Sequence, residues 1–206
     1  MARVSEETKQ MTRARLLAAA AEEFGRVGLD GANIDAISIA AGFAKGTIYN
    51  YFPSKEALFL AVVEEAVGQA TAAGSAPDEA AAWERLQATL AGFCAWAGEH
   101  DLFARVLVRE CLMGTPGLYP RVIGAEAPLV RELEAILRQG SARGELRDDV
   151  PAELLARAIA GLTDLALVEH WVSDDSRPSL EAIPELVLTL LLGPRSAAGP
   201  GQDRPA

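Results

Sequence analysis

The sequence predicts an all-α protein, and three observations predict it. Apolar residues recur at intervals of three and four along most of the chain, alternation at period two is essentially absent, and Ala, Leu, Glu and Arg dominate. Half of the 206 residues are apolar, 23% are charged and 6% are aromatic, which excludes collagen-like and disordered chains and suffices for a sizeable core. Every apolar stretch is cut by a charge, Gly or Pro well before the roughly 18 residues of a membrane span. Residues 1–9 carry the charges of Arg3, Glu6, Glu7 and Lys9 where a leader turns apolar. No membrane association is expected. Two cysteines, Cys94 and Cys111, make no disulfide framework, and His100 and His170 leave little for a metal site, so no metal and no cofactor are expected. A reducing cytoplasm is the expected compartment.

The first helix is predicted over residues 12–27, with Thr12 as its N-cap, Leu17, Ala20, Ala21, Phe24 and Val27 on one stripe, and Gly28 as its stop. Asn33 caps a second, short helix that turns Ile34, Ile37 and Ala41 inward and ends at Gly42. A third helical run follows over residues 44–52. Pro53 breaks it, and Ser54 caps a fourth helix through Leu58, Ala61, Val62 and Ala66. After Gly74, Ser75 and Pro77, the residues Trp83, Leu86, Leu90, Phe93 and Ala97 form the narrow seam of a bundle helix. A helix over residues 101–113 ends at Gly114-Thr115-Pro116. The next runs to Arg138, is kinked or divided at Pro128 and closes at Gly140 and Gly144. Pro151 opens a helix to about Val172, and Pro184 sits early in a last one that ends at Gly193-Pro194.

Charge is unevenly placed. The chain as a whole carries −10, yet residues 1–55 hold all three lysines and a net +1. A polyanion is repelled by the acidic remainder, so any contact with nucleic acid belongs to the first segment. That segment also concentrates aromatic residues: Phe43, Tyr49, Tyr51, Phe52 and Phe59 fall within seventeen positions. A short helix, a turn at Gly42 and a second short helix make a helix-turn-helix, whose second helix can enter the DNA major groove. Phe43, Ile48 and Phe52 share one side and are expected inside. Lys45, Gly46, Thr47, Tyr49 and Asn50 lie toward the outer face. The Tyr51 hydroxyl can reach a phosphate, and Lys55, in the first turn after Ser54, can neutralise one. Arg13 and Arg15 read equally as a DNA-touching arm with Arg3 and Lys9 or as scattered surface charge.

The run Gly46-Thr47-Ile48-Tyr49-Asn50-Tyr51-Phe52, followed by Ser54-Lys55-Glu56-Ala57-Leu58 and preceded by Ile37 and Ala41-Gly42, closely resembles the DNA-binding domain of TetR-family transcriptional regulators. The resemblance covers about residues 12–66. It implies an N-terminal three-helix helix-turn-helix DNA-binding domain (1–55), a C-terminal helical effector-binding and dimerisation domain (56–194) and a disordered tail (195–206). By position it assigns Lys45, Gly46, Thr47, Tyr49 and Asn50 to bases and nearby backbone, and Asn33, Tyr49, Tyr51 and Lys55 to phosphates of double-stranded DNA. Three positions depart from the family pattern. Ala44 replaces a capping Ser or Thr, worth about 1 kcal/mol; Asp35 brings a negative charge beside DNA; Ala36 replaces a frequent acidic residue.

Past residue 66 the resemblance is one of layout, together with Gly144-Glu145-Leu146-Arg147 and two final helices. Phe93, Trp96, Phe103, Leu107, Met113, Leu167, His170 and Trp171 lie on helices that surround a ligand cavity in the family, and permit a small apolar or aromatic organic effector. Each taken alone also reads as ordinary core. Leu154, Leu155, Ala158, Ile159, Leu162, Leu165, Ala166 and Val168 cover more than one helix face, and residues 186–192 contain one polar residue, Thr189. Such faces suit a homodimer through the last two helices, forming a four-helix bundle. A repressor released from a near-palindromic operator by its effector is expected. Control by a protein partner, or by no ligand, is the alternative. A helical-bundle enzyme is remote, since G-x-S-x-G, G-x-x-x-x-G-K-[ST], G-x-G-x-x-G and H-E-x-x-H are all absent from the sequence.

Overall fold

Residues 6–74, 76–113, 119–172 and 177–194 are described by a computed structural model. The expected tail lies outside them. The described chain is all helical: α1 (Glu6–Gly31), α2 (Ile34–Ala40), a 3-10 turn (Thr47–Asn50), α3 (Lys55–Ala73), α4 (Ala82–Glu99), α5 (Asp101–Met113), α6 (Tyr119–Ala142), α7 (Ala152–Val172) and α8 (Ile183–Leu192).

Helix α1 starts before the expected position. Glu6 and Glu7 occupy its first turn, where carboxylates favour the positive end of the helix dipole. Thr12 is therefore interior, its hydroxyl donating to the Thr8 carbonyl at 2.8 Å, and is not a cap. The expected stop at Gly28 does interrupt the helix (φ 73°, ψ 176°), and one further turn follows it. Leu16, Leu17, Ala20 and Phe24 form the buried stripe. Asn33 caps α2 as expected, its Oδ1 accepting from the Asp35 and Ala36 amides. Ser54 likewise caps α3, accepting from the Ala57 amide at 3.1 Å.

In the C-terminal half, Trp83, Leu86, Leu90, Phe93 and Ala97 of α4 are all buried, as the seam requires. Helix α6 runs through Pro128 undivided. It packs on α3, α4 and α7, while α8 packs on α4 and α7. The Gly144–Arg147 turn has a structural duty: a Glu145 carboxylate oxygen accepts from the Ala82 amide at the start of α4 (2.7 Å), and Arg147 donates to the Leu191 carbonyl at the end of α8 (3.0 Å). Orphan groups at two helix ends are thereby satisfied.

The N-terminal helices are not a separate body. Helix α1 packs on α3 and α5. Phe24, Phe59, Phe103 and Trp96 run as a continuous aromatic ladder from α1 through α3 to α5 and α4, with successive centroids 5.2, 5.9 and 6.2 Å apart. At Gly25 the two halves approach so closely that a Cβ would lie 2.8 Å from the Leu102 Cβ and 2.9 Å from the Phe103 nitrogen. Only a glycine fits there.

Candidate nucleic-acid interface and effector cavity

The second element of the helix-turn-helix is shorter than expected. In place of a helix over residues 44–52, the chain makes a turn and then the single 3-10 segment Thr47–Asn50, led by Gly46 in the left-handed region (φ 81°, ψ −10°). Helical hydrogen bonding cannot run through that residue, so the pattern begins after it. Ala44 is accordingly not the N-cap. Its carbonyl accepts from the Ser38 hydroxyl at 2.7 Å and from the Thr47 amide at 3.1 Å, which locks the turn to the buried Ser38 of α2. The Ala44 departure thus removes no side-chain cap from this structure.

Packing fixes which side chains face outward. Ile48 and Phe52 are buried, and Phe43 is half-buried against the same core. Lys45, Tyr49 and Asn50 are exposed, Tyr49 to 55%, although an aromatic ring of that size normally seeks burial. Gly46, Thr47 and Tyr51 are half-buried beside them. Asn33 is exposed but spends its carbonyl oxygen on the α2 cap, so its amide nitrogen is what it can offer a phosphate. Asp35 sits in the first turn of α2, where the helix dipole favours a carboxylate.

Lys55 is half-buried, and its ammonium donates to the Asp30 carbonyl at 2.9 Å and the Ala32 carbonyl at 3.4 Å. It joins the start of α3 to the end of α1 and keeps one donor for another acceptor. Next to it, the Glu56 carboxyl is held below its ordinary value by the backbone amide it accepts from, then by the Ser54 hydroxyl. Arg13 and Arg15, ambiguous in the sequence, have a definite place: the Arg15 guanidinium lies 4.9 Å from the Phe43 ring centroid and that of Arg13 lies 5.6 Å from Phe52. They stack on the two ends of the recognition segment, and both remain exposed. Their spacing to those aromatics is tertiary and has no sequence signal.

The eight residues expected around an effector are not brought together in one cavity. Leu107 and Leu167 are fully buried. Phe93 borders a residual cavity of about 10 Å³ with Leu90, Leu129, Val130, Ala160, Thr163 and Asp164. Trp96 and Phe103 line a different space, a groove of about 790 Å³ shared with α1 and α3. His170 is engaged through Nδ1 with the Pro178 carbonyl at 2.8 Å, and Trp171 lies under the Arg105 guanidinium at 5.2 Å. The Met113 side chain lies outside the described residues.

Polar groups are buried in this half, and among them Arg85 carried no signal in the sequence. Arg85 bonds Gln139 at 2.6 Å and Asp78 at 3.0 Å in a cleft of about 350 Å³. Glu110 is buried and paired with Arg109 at 3.0 Å. Burial pushes the Cys94 thiol up to about 12, helped by the nearby Asp164 charge. No group of three or more His, Cys, Asp and Glu side chains among the described residues is placed to hold a metal ion. No helix among them is long and apolar enough to cross a membrane.

Comparison with known proteins agrees with this geometry in both halves. Residues 16–62 match the model of bacterial regulatory proteins of the tetR family, and residues 79–193 match a tetracyclin repressor-like C-terminal domain. The fatty acid metabolism regulator protein of Bacillus subtilis is 29% identical over 181 residues, covering 86% of this chain and 92% of the relative. The HTH-type transcriptional repressor AcnR of Corynebacterium diphtheriae is 26% identical over 185 residues, covering 89% and 93%. The crystal structure of FadR from Bacillus subtilis in complex with stearoyl-CoA superposes with a TM-score of 0.75 at 25% identity, covering 90% of this chain and 99% of that one. The exposed recognition segment, the helical body behind it and these matches agree: the chain belongs to the TetR family of transcriptional regulators and is not an enzyme.

Proposed function

We propose that the chain acts as a homodimeric repressor that binds a near-palindromic operator and is released from it by a small organic effector. The observation that carries this reading is the outward presentation of Lys45, Tyr49 and Asn50, with the half-buried Thr47 beside them, on a segment braced from behind by Ile48 and Phe52. Two such segments, about one helical turn or roughly 34–36 Å apart, meet the half-sites of one operator in successive major grooves. Thr47, Tyr49 and Asn50 read base edges; Lys45, Tyr51, Lys55 and the free amide of Asn33 hold phosphates. Such work belongs in the cytoplasm, with the DNA.

A dimer is supported by what α7 and α8 leave exposed. Leu154, Leu165 and Val172 on α7, and Leu186 and Leu190 on α8, are 44–75% accessible, while the opposite faces of the same helices are buried. A face of that length on two adjacent helices suits self-association around a twofold axis.

The first effector to test is a long-chain acyl thioester, because the FadR structure holds stearoyl-CoA. Its acyl chain would open the apolar core around Phe93, Leu107 and Leu167, which encloses little space. Binding of the purified protein to DNA from upstream of its own gene, followed by fluorescence anisotropy with and without stearoyl-CoA, tests the proposal. Specific, salt-sensitive binding reversed by the thioester supports it. Specific binding indifferent to the thioester removes that effector class, and absence of specific binding removes the operator reading.

A further inference from the structure

Arg15 of α1 is remote in sequence from the recognition segment, yet its guanidinium is built onto the head of it. The group lies 4.9 Å from the Phe43 ring centroid. It also packs on the turn that joins α2 to the segment: a Cβ added at Gly42 (φ 83°) would lie 2.5 Å from an Arg15 terminal nitrogen. Phe43 is anchored in turn, half-buried against the core and with its amide donating to the Ser38 carbonyl at 3.0 Å. The guanidinium is thereby held at a fixed place, two positions along the chain from the exposed Lys45.

Its charge is not spent within the protein. Arg15 is exposed, and no ion pair among the described residues engages it. Arg105, which stacks on Trp171 in the C-terminal half, differs on this point, being paired with Asp101 at 3.1 Å. Stacking occupies the face of a guanidinium and leaves its edge available. The five N–H donors lie in the plane of the group, so a stacked arginine still donates a bidentate pair to a phosphate. Because the aromatic ring already restrains the side chain, less rotamer freedom is lost when the phosphate binds.

We propose that Arg15, positioned by its stack on Phe43, is a further contact to the DNA backbone, presenting its guanidinium edge to a phosphate beside the head of the recognition segment. The inference rests on the reading that this segment meets DNA. It extends the interface from the helix-turn-helix to α1 and adds a phosphate to those held by Lys45, Tyr51, Lys55 and Asn33. Arg15 contributes affinity on every sequence and discriminates among none.

The test is a salt titration of binding, read by fluorescence anisotropy, with the full-length protein on labelled DNA from upstream of its own gene and on a duplex of unrelated sequence. Arg15→Gln is expected to weaken both about tenfold at low salt and to reduce the slope of log affinity against log salt by about 1. Its melting temperature is expected to fall by less than about 4 °C, so the loss is not one of folding. Arg15→Lys keeps the slope but not the full affinity, since a point charge does not stack and donate a bidentate pair at once. Phe43→Leu keeps apolar packing and removes the ring, and in that background Arg15→Gln is expected to cost several-fold less. Arg105→Gln, which removes the stacked guanidinium of the other half, leaves the slope unchanged. A stack with a structural duty alone lowers the melting temperature and spares the salt slope. That result, or an equal cost of Arg15→Gln with and without the Phe43 ring, overturns the proposal while the operator reading stands. Failure of the unsubstituted protein to bind either DNA overturns both.

Discussion

Gly46 is the residue on which the shape of the recognition segment depends, and its replacement by alanine has a calculable effect. The residue holds φ 81° and ψ −10° at the head of the 3-10 segment. A Cβ built there meets nothing within 4 Å, so the penalty of Gly46→Ala is confined to the backbone. Holding a non-glycine residue in the left-handed region costs about 1–2 kcal/mol. For a protein of this size a loss of that order lowers the melting temperature by roughly 2–8 °C. Where the free variant instead relaxes the turn and must regain it on DNA, that penalty appears in binding, as a loss of roughly 5- to 30-fold in affinity. Asparagine visits the left-handed region more readily, so Gly46→Asn is expected to lose less on both counts. Gly68→Ala is the control: Gly68 is exposed within α3 with open space at its Cβ, and the change raises stability by up to about 1 kcal/mol with no effect on DNA. Thermal unfolding by circular dichroism and anisotropy with labelled operator measure both effects. Retention of full stability and affinity by Gly46→Ala, or an equal loss in the Asn variant, would refute the role given to this turn.

Three further outcomes follow from the same contacts. Lys55→Ala removes a cation and its bonds to the Asp30 and Ala32 carbonyls. It is expected to lower the melting temperature, to weaken binding to all DNA sequences about equally and to reduce the salt slope by about 1, whereas Thr47→Ala changes the preference among sequences; identical effects of the two in a salt-dependent competition assay would contradict these assignments. Leu190, 64% exposed on α8, is expected to be covered in the dimer, where full burial of each copy contributes about 1.5–3 kcal/mol, so Leu190→Glu should yield monomers in sedimentation analysis. Persistence of the dimer argues for another interface. Burial raises the Cys94 thiol to about 12, so in the native protein at pH 8 it should resist thiol labelling while the unfolded chain reacts. As pH rises, the unfolded chain loses this proton first; the group's contribution to stability is complete below the ordinary thiol range and declines above it. Equal labelling of native and unfolded Cys94, read by peptide mass spectrometry, excludes the burial.

Features decided by near neighbours in the chain were legible from the sequence. Asn33 and Ser54 cap the helices that follow them, the α4 seam is buried and Gly193 ends α8. Where the sequence misleads, a longer-range or conformational term decides. The charged first turn of α1 carries no apolar periodicity, so its start went unseen. A left-handed Gly46 leaves composition unchanged yet replaces the expected helix with a 3-10 turn. In the C-terminal half, apolar periodicity identifies which residues are buried but not whether they meet a cavity or one another. Leu107 and Leu167 became solid core, while Trp96 and Phe103 open onto a groove whose other wall comes from α1. Arg85 lies on the buried side of α4 because Gln139, remote in sequence, and Asp78, in the loop before α4, supply its partners.

In the proposed complex two copies of the recognition segment read one operator. Its most direct measurement is the mass and stoichiometry of the complex between the full-length protein and DNA from upstream of its own gene, determined by light scattering across a series of salt concentrations. Two chains on one near-palindromic fragment, with affinity falling steeply as salt rises, is the expected result. A single chain per fragment, or equal affinity for fragments of unrelated sequence, would contradict it.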